Sequence, residues 1–161
     1  MDAKWIPITG AVAFWGLIAF GGGLITDIGP WYRAMKQPAW KPRDMLFGPI
    51  WTTVFISAGY GCVLAWQGGG TAAQRQLFLV ACAINGLGNW WWSWLFFRSK
   101  RPDWAMWQVI PFWFSIFFMY WTSRPLASDA GIWFAPYLAW VAAAVYLNWC
   151  VVKLNGPFRG R

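Results

Sequence analysis

Five long runs of apolar residues, none with a charge in its interior, alternate with short polar segments along this chain. A helix needs about 20 mostly apolar residues to cross a bilayer, and these uninterrupted runs lack the alternating polarity of membrane strands. The pattern therefore predicts an all-α integral membrane protein, a five-transmembrane-helix bundle that forms a single domain over residues 1–161. The predicted spans are approximately residues 5–25, 46–66, 77–97, 104–121 and 131–152.

The composition of the 161 residues supports this class, because 59% are hydrophobic and only 11% are charged. A soluble domain carries roughly 25% charged residues. The net charge of +8 raises the alternative of nucleic-acid binding, but the basic residues are scattered through short loops. We therefore attribute the charge to membrane topology and expect membrane lipid, and no nucleic acid, as a partner.

Basic residues are concentrated on one predicted side of the membrane. The first loop, the third loop and the C-terminal tail hold most of them: Arg33, Lys36, Lys41, Arg43, Arg98, Lys100, Arg101, Lys153, Arg159 and Arg161. The opposite side holds Lys4, Arg75 and Arg124. Because cytoplasmic loops carry the excess of Lys and Arg, we expect a periplasmic N-terminus and a cytoplasmic first loop and C-terminus. The expected location is the inner membrane of a bacterium.

The residue types that usually carry catalysis or bind metals are scarce. The chain has no histidine, and Cys62, Cys82 and Cys150 each fall inside an apolar run. None of the runs contains a carboxylate, so general acid–base catalysis has no evident participants. We expect no catalytic residue, no metal site and no obligatory cofactor.

The stretch Trp31–Trp51 combines aromatic, basic and proline residues between the first two apolar runs. Pro38, Pro42 and Pro49 argue against one continuous helix, since proline lacks a backbone donor and restricts the preceding residue. The stretch predicts a shaped, semi-rigid loop that closes a cavity for a flat apolar ligand. Its ligand-binding candidates are Trp31, Tyr32, Trp40 and Trp51. Trp51, at the predicted start of the second helix, has two interpretations, an interfacial anchor or a cavity wall.

The fifth run places aromatic, small and polar side chains on one helical face. These are Tyr137, Trp140, Ala144, Leu147 and Asn148. Trp140 lies about 14 Å into the helix, too deep for an interfacial residue. The face is either a pocket wall or a surface for close helix packing.

The third run carries Asn85, Asn89 and Ser93 at helical spacing, and amides in hydrocarbon need partners. They form either interhelical hydrogen bonds or ligand contacts. Trp90, Trp91, Trp92 and Trp94 follow closely and cannot all face one direction. Most of them are expected at the membrane interface, with Trp92 as the candidate that points inward.

Three blocks of sequence, in order and over about 120 residues, resemble the TspO/translocator-protein family. This family is also known as the tryptophan-rich sensory proteins or peripheral benzodiazepine receptors. The first block is Trp31-Tyr32, Pro38–Pro42 and Pro49–Trp51; the second is Asn85–Asn89, Trp92-Ser93 and Phe96-Phe97; the third is Pro136–Trp140, Ala144 and Leu147-Asn148. The chain is thus identified as a bacterial member of the family.

The resemblance implies a five-helix bundle, often a homodimer, with a cavity that the first loop closes. It implies tetrapyrroles of the porphyrin or haem type, sterols or synthetic aromatic compounds as ligands. Some bacterial members promote light-dependent porphyrin breakdown, and members in photosynthetic bacteria are linked to pigment synthesis. Trp51, Asn89, Trp92 and Trp140 match the family's motifs and become the leading ligand-binding candidates.

Four positions depart from the family pattern. Arg43 replaces the second proline of a Pro-Pro pair, Asn85 replaces a glutamine, and Phe55 replaces a tyrosine. Trp149 stands where the sterol-recognition pattern of animal members has a tyrosine, so we expect no specific cholesterol site.

Three functional hypotheses follow. The first is a membrane receptor that binds tetrapyrroles or similar flat apolar ligands and regulates pigment or stress metabolism. The second is light-dependent porphyrin oxidation, in which the ligand carries the chemistry. The third is a structural or assembly subunit docked to a photosynthetic or other membrane complex.

Overall fold

The computed structural model describes residues 5–158, and Lys4, Arg159 and Arg161 of the charge count lie outside them. The described chain is helical and contains no strand, which confirms the all-α prediction. Its six α-helices are α1 Trp5–Ile25, α2 Pro30–Ala34, α3 Asp44–Gln67, α4 Ala72–Ser93, α5 Pro102–Ser123 and α6 Ala135–Asn155.

The five long helices correspond to the five predicted runs, with different ends. Helix α4 begins five residues before the predicted run because Thr71 caps it, accepting from the Gln74 backbone while the Gln74 side chain accepts from the Thr71 backbone. It continues into a π-helical turn over Trp94–Arg98. Helix α6 follows a 3₁₀ turn over Ala130–Phe134.

Three helices are long and apolar enough to cross a membrane by length and composition. They cover Trp5–Ile25, Asp44–Gln67 and Ala130–Asn155. Helices α4 and α5 have 22 residues each, also sufficient in length. Buried amides, Asn85 and Asn89 on α4 and Gln108 on α5, lower the mean hydropathy of these two helices.

The stretch Trp31–Trp51 is not one continuous helix, as its prolines predict, because α2 ends at Ala34 and α3 begins at Asp44. Helix α3 begins at Asp44 and contains Pro49 in its second turn. Since Pro49 lies close to the helix start, it removes only one intrahelical hydrogen bond, and the flanking turns continue the helix. Trp51 therefore lies two turns into α3 instead of at its first residue.

Aromatic rings and short polar contacts hold the bundle together. Trp15 of α1 stacks on Phe55 of α3, with ring centroids 5.2 Å apart. Trp90 of α4 donates its indole N–H to the Ile18 carbonyl at 3.0 Å. A Cβ on Gly21 would lie 2.7 Å from the Trp90 ring, so only glycine permits this approach. Gly21 thus allows close contact between α1 and α4.

Candidate functional site

A cavity of about 1080 Å³ lies between α1, α3, α4 and α6, beneath the segment that joins α1 to α3. Ligand pockets commonly have volumes of about 300–1,000 Å³, so this cavity is large for a chain of this size. Its two halves differ in construction. The half next to the joining segment, the loop-side chamber, is lined by several helices, and the half remote from it, the distal arm, mainly by α1 and α3.

The loop-side chamber brings together side chains that are far apart in the sequence. Its lining includes Tyr32, Gln37, Asp44, Phe47, Trp51, Asn89, Trp92, Phe96, Phe97, Trp140, Ala144, Leu147 and Asn148. Phe96 and Phe97 belong to the π-helical turn, a type of distortion that is frequent at functional sites.

Trp51 and Trp140 form the aromatic corner of the chamber. Their rings are nearly perpendicular, at 87°, with centroids 6.3 Å apart. Phe47 packs edge-on against Trp140 at 5.6 Å, and Phe55 lies beside Trp51 at 5.1 Å. Within the described chain, the Trp140 indole N–H is buried without a hydrogen-bond acceptor. The corner therefore offers flat apolar ring faces to the cavity.

A chain of hydrogen bonds lies behind this wall and fixes α4 and α6. Asn89 Nδ2 donates to the Tyr137 hydroxyl, which donates to Asn85 Oδ1, both at 3.2 Å. Asn85 Nδ2 continues the chain to the Ser115 hydroxyl of α5 at 2.9 Å. The interhelical interpretation of Asn85 and Asn89 is thus observed, while Asn89 also lines the cavity.

A second polar pair connects α4 and α6 nearer to the segment that joins α1 to α3. Trp92 Nε1 donates to Asn148 Oδ1 at 3.2 Å, and Asn148 Nδ2 donates to the Pro102 carbonyl at 2.8 Å. Both Trp92 and Asn148 line the cavity. Their hydrogen bonds satisfy these groups without a ligand and leave the ring of Trp92 as the contact surface.

The segment joining α1 to α3 covers the chamber as a lid, here residues 30–43. Tyr32 is buried, and its hydroxyl donates to Asp44 and accepts from Lys41, both at 3.2 Å. Lys41 also forms an ion pair with Asp44. Burial raises the pKa of the Tyr32 hydroxyl. Burial lowers the pKa of Lys41, but the hydrogen bonds to Asp44 and Tyr32 outweigh it, and the net pKa is raised.

The Asn155 side chain connects the middle of the lid to the end of α6 by hydrogen bonds. The Asn155 amide accepts from the Lys36 backbone N–H and donates to the Lys36 carbonyl, each at 2.8 Å. The same amide nitrogen also donates to the Val151 carbonyl of α6 at 2.8 Å. We call this arrangement the Asn155 latch.

Most of the side chains predicted to bind ligand do line the cavity. They are Tyr32, Trp51, Asn89, Trp92, Trp140, Ala144, Leu147 and Asn148. Three others lie elsewhere. Trp31 packs edge-on against Phe96, and Trp40 stacks on Tyr146 while 46% exposed. Tyr137 is fully buried behind Trp51 and acts through its hydroxyl.

Sequence reasoning missed the contribution of α1 and two aromatic residues of α3. Trp15, Phe47 and Phe55 all line the cavity. Trp15 is ten residues from each end of α1, whereas Trp140 is five residues from the start of α6, so the depth argument that selected Trp140 applied to Trp15 as well. Its indole N–H is likewise buried and unpaired among the described residues.

The residues that the structure describes contain no group of His, Cys, Asp or Glu suited to hold a metal ion. Among the described residues, the titratable side chains that line the chamber are Tyr32 and Asp44, both at its lid end. The geometry therefore suits binding of an aromatic molecule by stacking and a few hydrogen bonds.

The sequence model of the TspO/MBR family matches residues 9–154. The chain belongs to the TspO/MBR family. Its match to the human "Translocator protein" is 28% identical over 173 aligned residues and covers 99% of this chain and 96% of the relative. The "Tryptophan-rich sensory protein" of Cereibacter sphaeroides is 28% identical, with 96% and 95% covered. "Protein CrtK" of Rhodobacter capsulatus is 31% identical, with 83% of both chains covered. This TspO/MBR chain is therefore a membrane protein, which agrees with its apolar helices.

Proposed function

We propose that the protein is a membrane receptor that binds tetrapyrroles or similar flat apolar ligands in the loop-side chamber. Binding is coupled to the regulation of pigment or stress metabolism. The observation that carries the proposal is the perpendicular pair Trp51 and Trp140, both of which line the chamber. A flat ring that stacks on one of the two faces meets the other ring with its edge.

The name of one relative supports a sensory role. A bacterial relative over nearly the whole chain is called a "Tryptophan-rich sensory protein". A receptor must convert binding into a change that other proteins detect. The lid is suited to this, because Tyr32 and Gln37 line the chamber while Lys36 contacts the end of α6.

The proposed arrangement in the membrane has five spanning helices, α1, α3, α4, α5 and α6. The distribution of Lys and Arg supports a cytoplasmic lid in the inner membrane of a bacterium. Cysteine labelling at Gln37 and at Gly69, in the second loop, tests this orientation. Modification of Gln37→Cys by an impermeant reagent in intact cells contradicts it, and modification of Gly69→Cys under the same conditions supports it.

Titration with protoporphyrin IX tests the binding proposal. We expect saturable quenching of tryptophan fluorescence and a shifted porphyrin absorbance band. Trp51→Phe and Trp140→Phe weaken both signals because each reduces the stacking face. Trp121→Phe is the matched control, since Trp121 is 60% exposed and lies outside the cavity. Unsaturable quenching, or equal effects in all three variants, counts against the proposal.

Two other hypotheses from the sequence keep their own tests. Light-dependent oxidation requires that illuminated, protein-bound porphyrin decay faster than porphyrin in detergent alone. A subunit of a larger photosynthetic or other membrane complex requires co-purification of further chains from native membranes. Recovery of a monomer or homodimer contradicts the subunit hypothesis and agrees with a self-contained receptor.

A further inference from the structure

The cavity continues beyond the loop-side chamber into the distal arm. The stacked pair Trp15 and Phe55 marks the boundary, and α1 and α3 line the cavity on both sides of it. The arm's lining beyond this boundary includes Ile8, Val12, Ile56, Gly59, Tyr60 and Val63. From the boundary to Ile8 the arm follows α1 for about 10 Å, at 1.5 Å per residue.

The distal arm is apolar and open at its side. Val12 on α1 and Ile56 on α3 both line the cavity and are both 69% exposed. Within residues 5–158, no third long helix lines this part, so the groove between α1 and α3 opens laterally. In a membrane, this opening faces the hydrocarbon of the lipid tails. The arm therefore connects the chamber with the bilayer and not with water.

Polar groups are distributed unequally along the cavity. The amide, carboxylate and hydroxyl groups of Gln37, Asp44, Asn89, Asn148 and Tyr32 all belong to the loop-side chamber. In the arm, the side chains of the residues named above contribute one polar group, the hydroxyl of Tyr60. A ligand that fills both parts must have a head with a polar edge and a purely hydrocarbon extension.

We propose that the distal arm binds the hydrocarbon tail of an amphiphilic ligand whose flat head occupies the loop-side chamber, and that such ligands enter sideways from the bilayer between α1 and α3. This inference rests on the proposed function and adds the ligand class, a ring system esterified with a long aliphatic or isoprenoid chain. The arm gains little by taking a free lipid tail, since lipid is equally apolar. Its selectivity comes from the covalent link to a head held by Trp51 and Trp140.

Two pigments with the same ring and different tails separate this inference from the proposed function. Pheophorbide a has no tail, and pheophytin a is its phytyl ester. Val12→Trp is the blocking variant, because Val12 lines the arm beyond the boundary pair and a larger ring there reduces the space between α1 and α3. Gly10→Phe is the control on the same helix, because a Cβ added there meets no atom within 4 Å and Gly10 lies outside the cavity lining. Val63→Trp, on α3, is a second blocking variant should Val12→Trp fail to fold.

We expect the wild type to bind both pigments in nanodiscs. Val12→Trp and Val63→Trp should weaken pheophytin binding about tenfold or more and change pheophorbide binding less than about twofold. Gly10→Phe should change neither. One result would overturn the tail site and leave the proposed function intact. In it, pheophorbide binding is saturable and weakened by Trp140→Phe, while pheophytin binding is unchanged in both blocking variants. If the wild type binds neither pigment, the proposed function fails and the tail site fails with it.

Discussion

The loop-side chamber and the distal arm are parts of one cavity built by different means. In the chamber, α4 and α6 add indole and amide groups to the walls formed by α1 and α3. In the arm, two helices face each other with aliphatic side chains and glycine. The chamber has hydrogen-bonding groups and aromatic ring faces at fixed angles, whereas the arm constrains a ligand mainly by its width and length.

This difference shows where specificity can arise in a membrane protein. Apolar surface does not distinguish a ligand from the surrounding lipid, because both are hydrocarbon. Stacking geometry and hydrogen bonds do distinguish them, and these are confined to the chamber. The comparison predicts that substitutions in the chamber alter affinity for every ligand, whereas substitutions in the arm alter only ligands with tails.

The largest expected effect is the loss of ring contact in the chamber. Trp140→Ala should weaken protoporphyrin binding about tenfold to hundredfold, because stacking on an aromatic side chain contributes about 1–3 kcal/mol. Titration in detergent measures it. Ile56→Ala in the arm is the control and should leave this tailless ligand unaffected. An equal loss in both variants would erase the distinction between the two regions.

The next effect concerns the polar chain behind the chamber wall. Tyr137→Phe removes the hydroxyl that connects Asn85 and Asn89, and it should lower the free energy of unfolding by about 1–2 kcal/mol. Thermal unfolding of the purified protein measures the loss. Tyr146→Phe, which removes the hydroxyl of an exposed ring stacked on Trp40, should be neutral. Unchanged stability in Tyr137→Phe would mean that the chain of hydrogen bonds does not hold the wall.

The Asn155 latch gives a smaller and more local effect. Asn155→Ala removes both hydrogen bonds to Lys36 and should favour lid opening by about 1 kcal/mol, roughly fivefold. Hydrogen exchange of residues 35–43 should accelerate by this factor, with little change in the core of α5. Gln67→Ala, at the exposed end of α3, is the control. Uniform acceleration across the chain instead would indicate global destabilisation and contradict a latch.

The smallest effect is expected at the exposed end of the lid. The pKa of Lys41 is raised, so its ion pair with Asp44 is complete below the ordinary lysine value of about 10.4 and is lost as pH rises through the higher folded value. Once the intrinsic pH dependence of exchange is removed, lid protection should stay constant from about pH 6 to 9. Lys41→Met should cost about 0–1 kcal/mol, as for exposed pairs. A midpoint below pH 9 contradicts this assignment.

The helical content and most chamber residues were predictable from the sequence because both follow from helical periodicity. Trp140 was selected by its depth and Asn148 by its position on the same face, and both line the cavity. Tyr137 shares that face but fills the centre of the bundle, since Trp15, Trp51, Phe55 and Phe112 surround its ring. Periodicity assigns a side chain to a face and does not tell whether that face meets a cavity or a neighbouring helix.

Pro49 and Trp40 illustrate two further limits of sequence patterns. The predicted second span begins at Leu46 and contains Pro49, yet α3 begins two residues earlier at Asp44, and Pro49 is tolerated because one missing hydrogen bond near a helix start costs little. Trp40 belongs to an aromatic loop, yet it stacks outside on Tyr146 of α6. Its direction depends on how the lid crosses the helix end, a contact between residues more than 100 positions apart.

The sequence by itself determined the membrane class, the family, the five long helices and the aromatic character of the site. These properties depend on residue type and local spacing, which the chain carries without folding. Only the tertiary structure decided that the cavity continues beyond Trp15 and Phe55 as a distal arm. In the described residues, α4 and α6 line the chamber and leave the arm to α1 and α3, a relation between helices that no local pattern encodes.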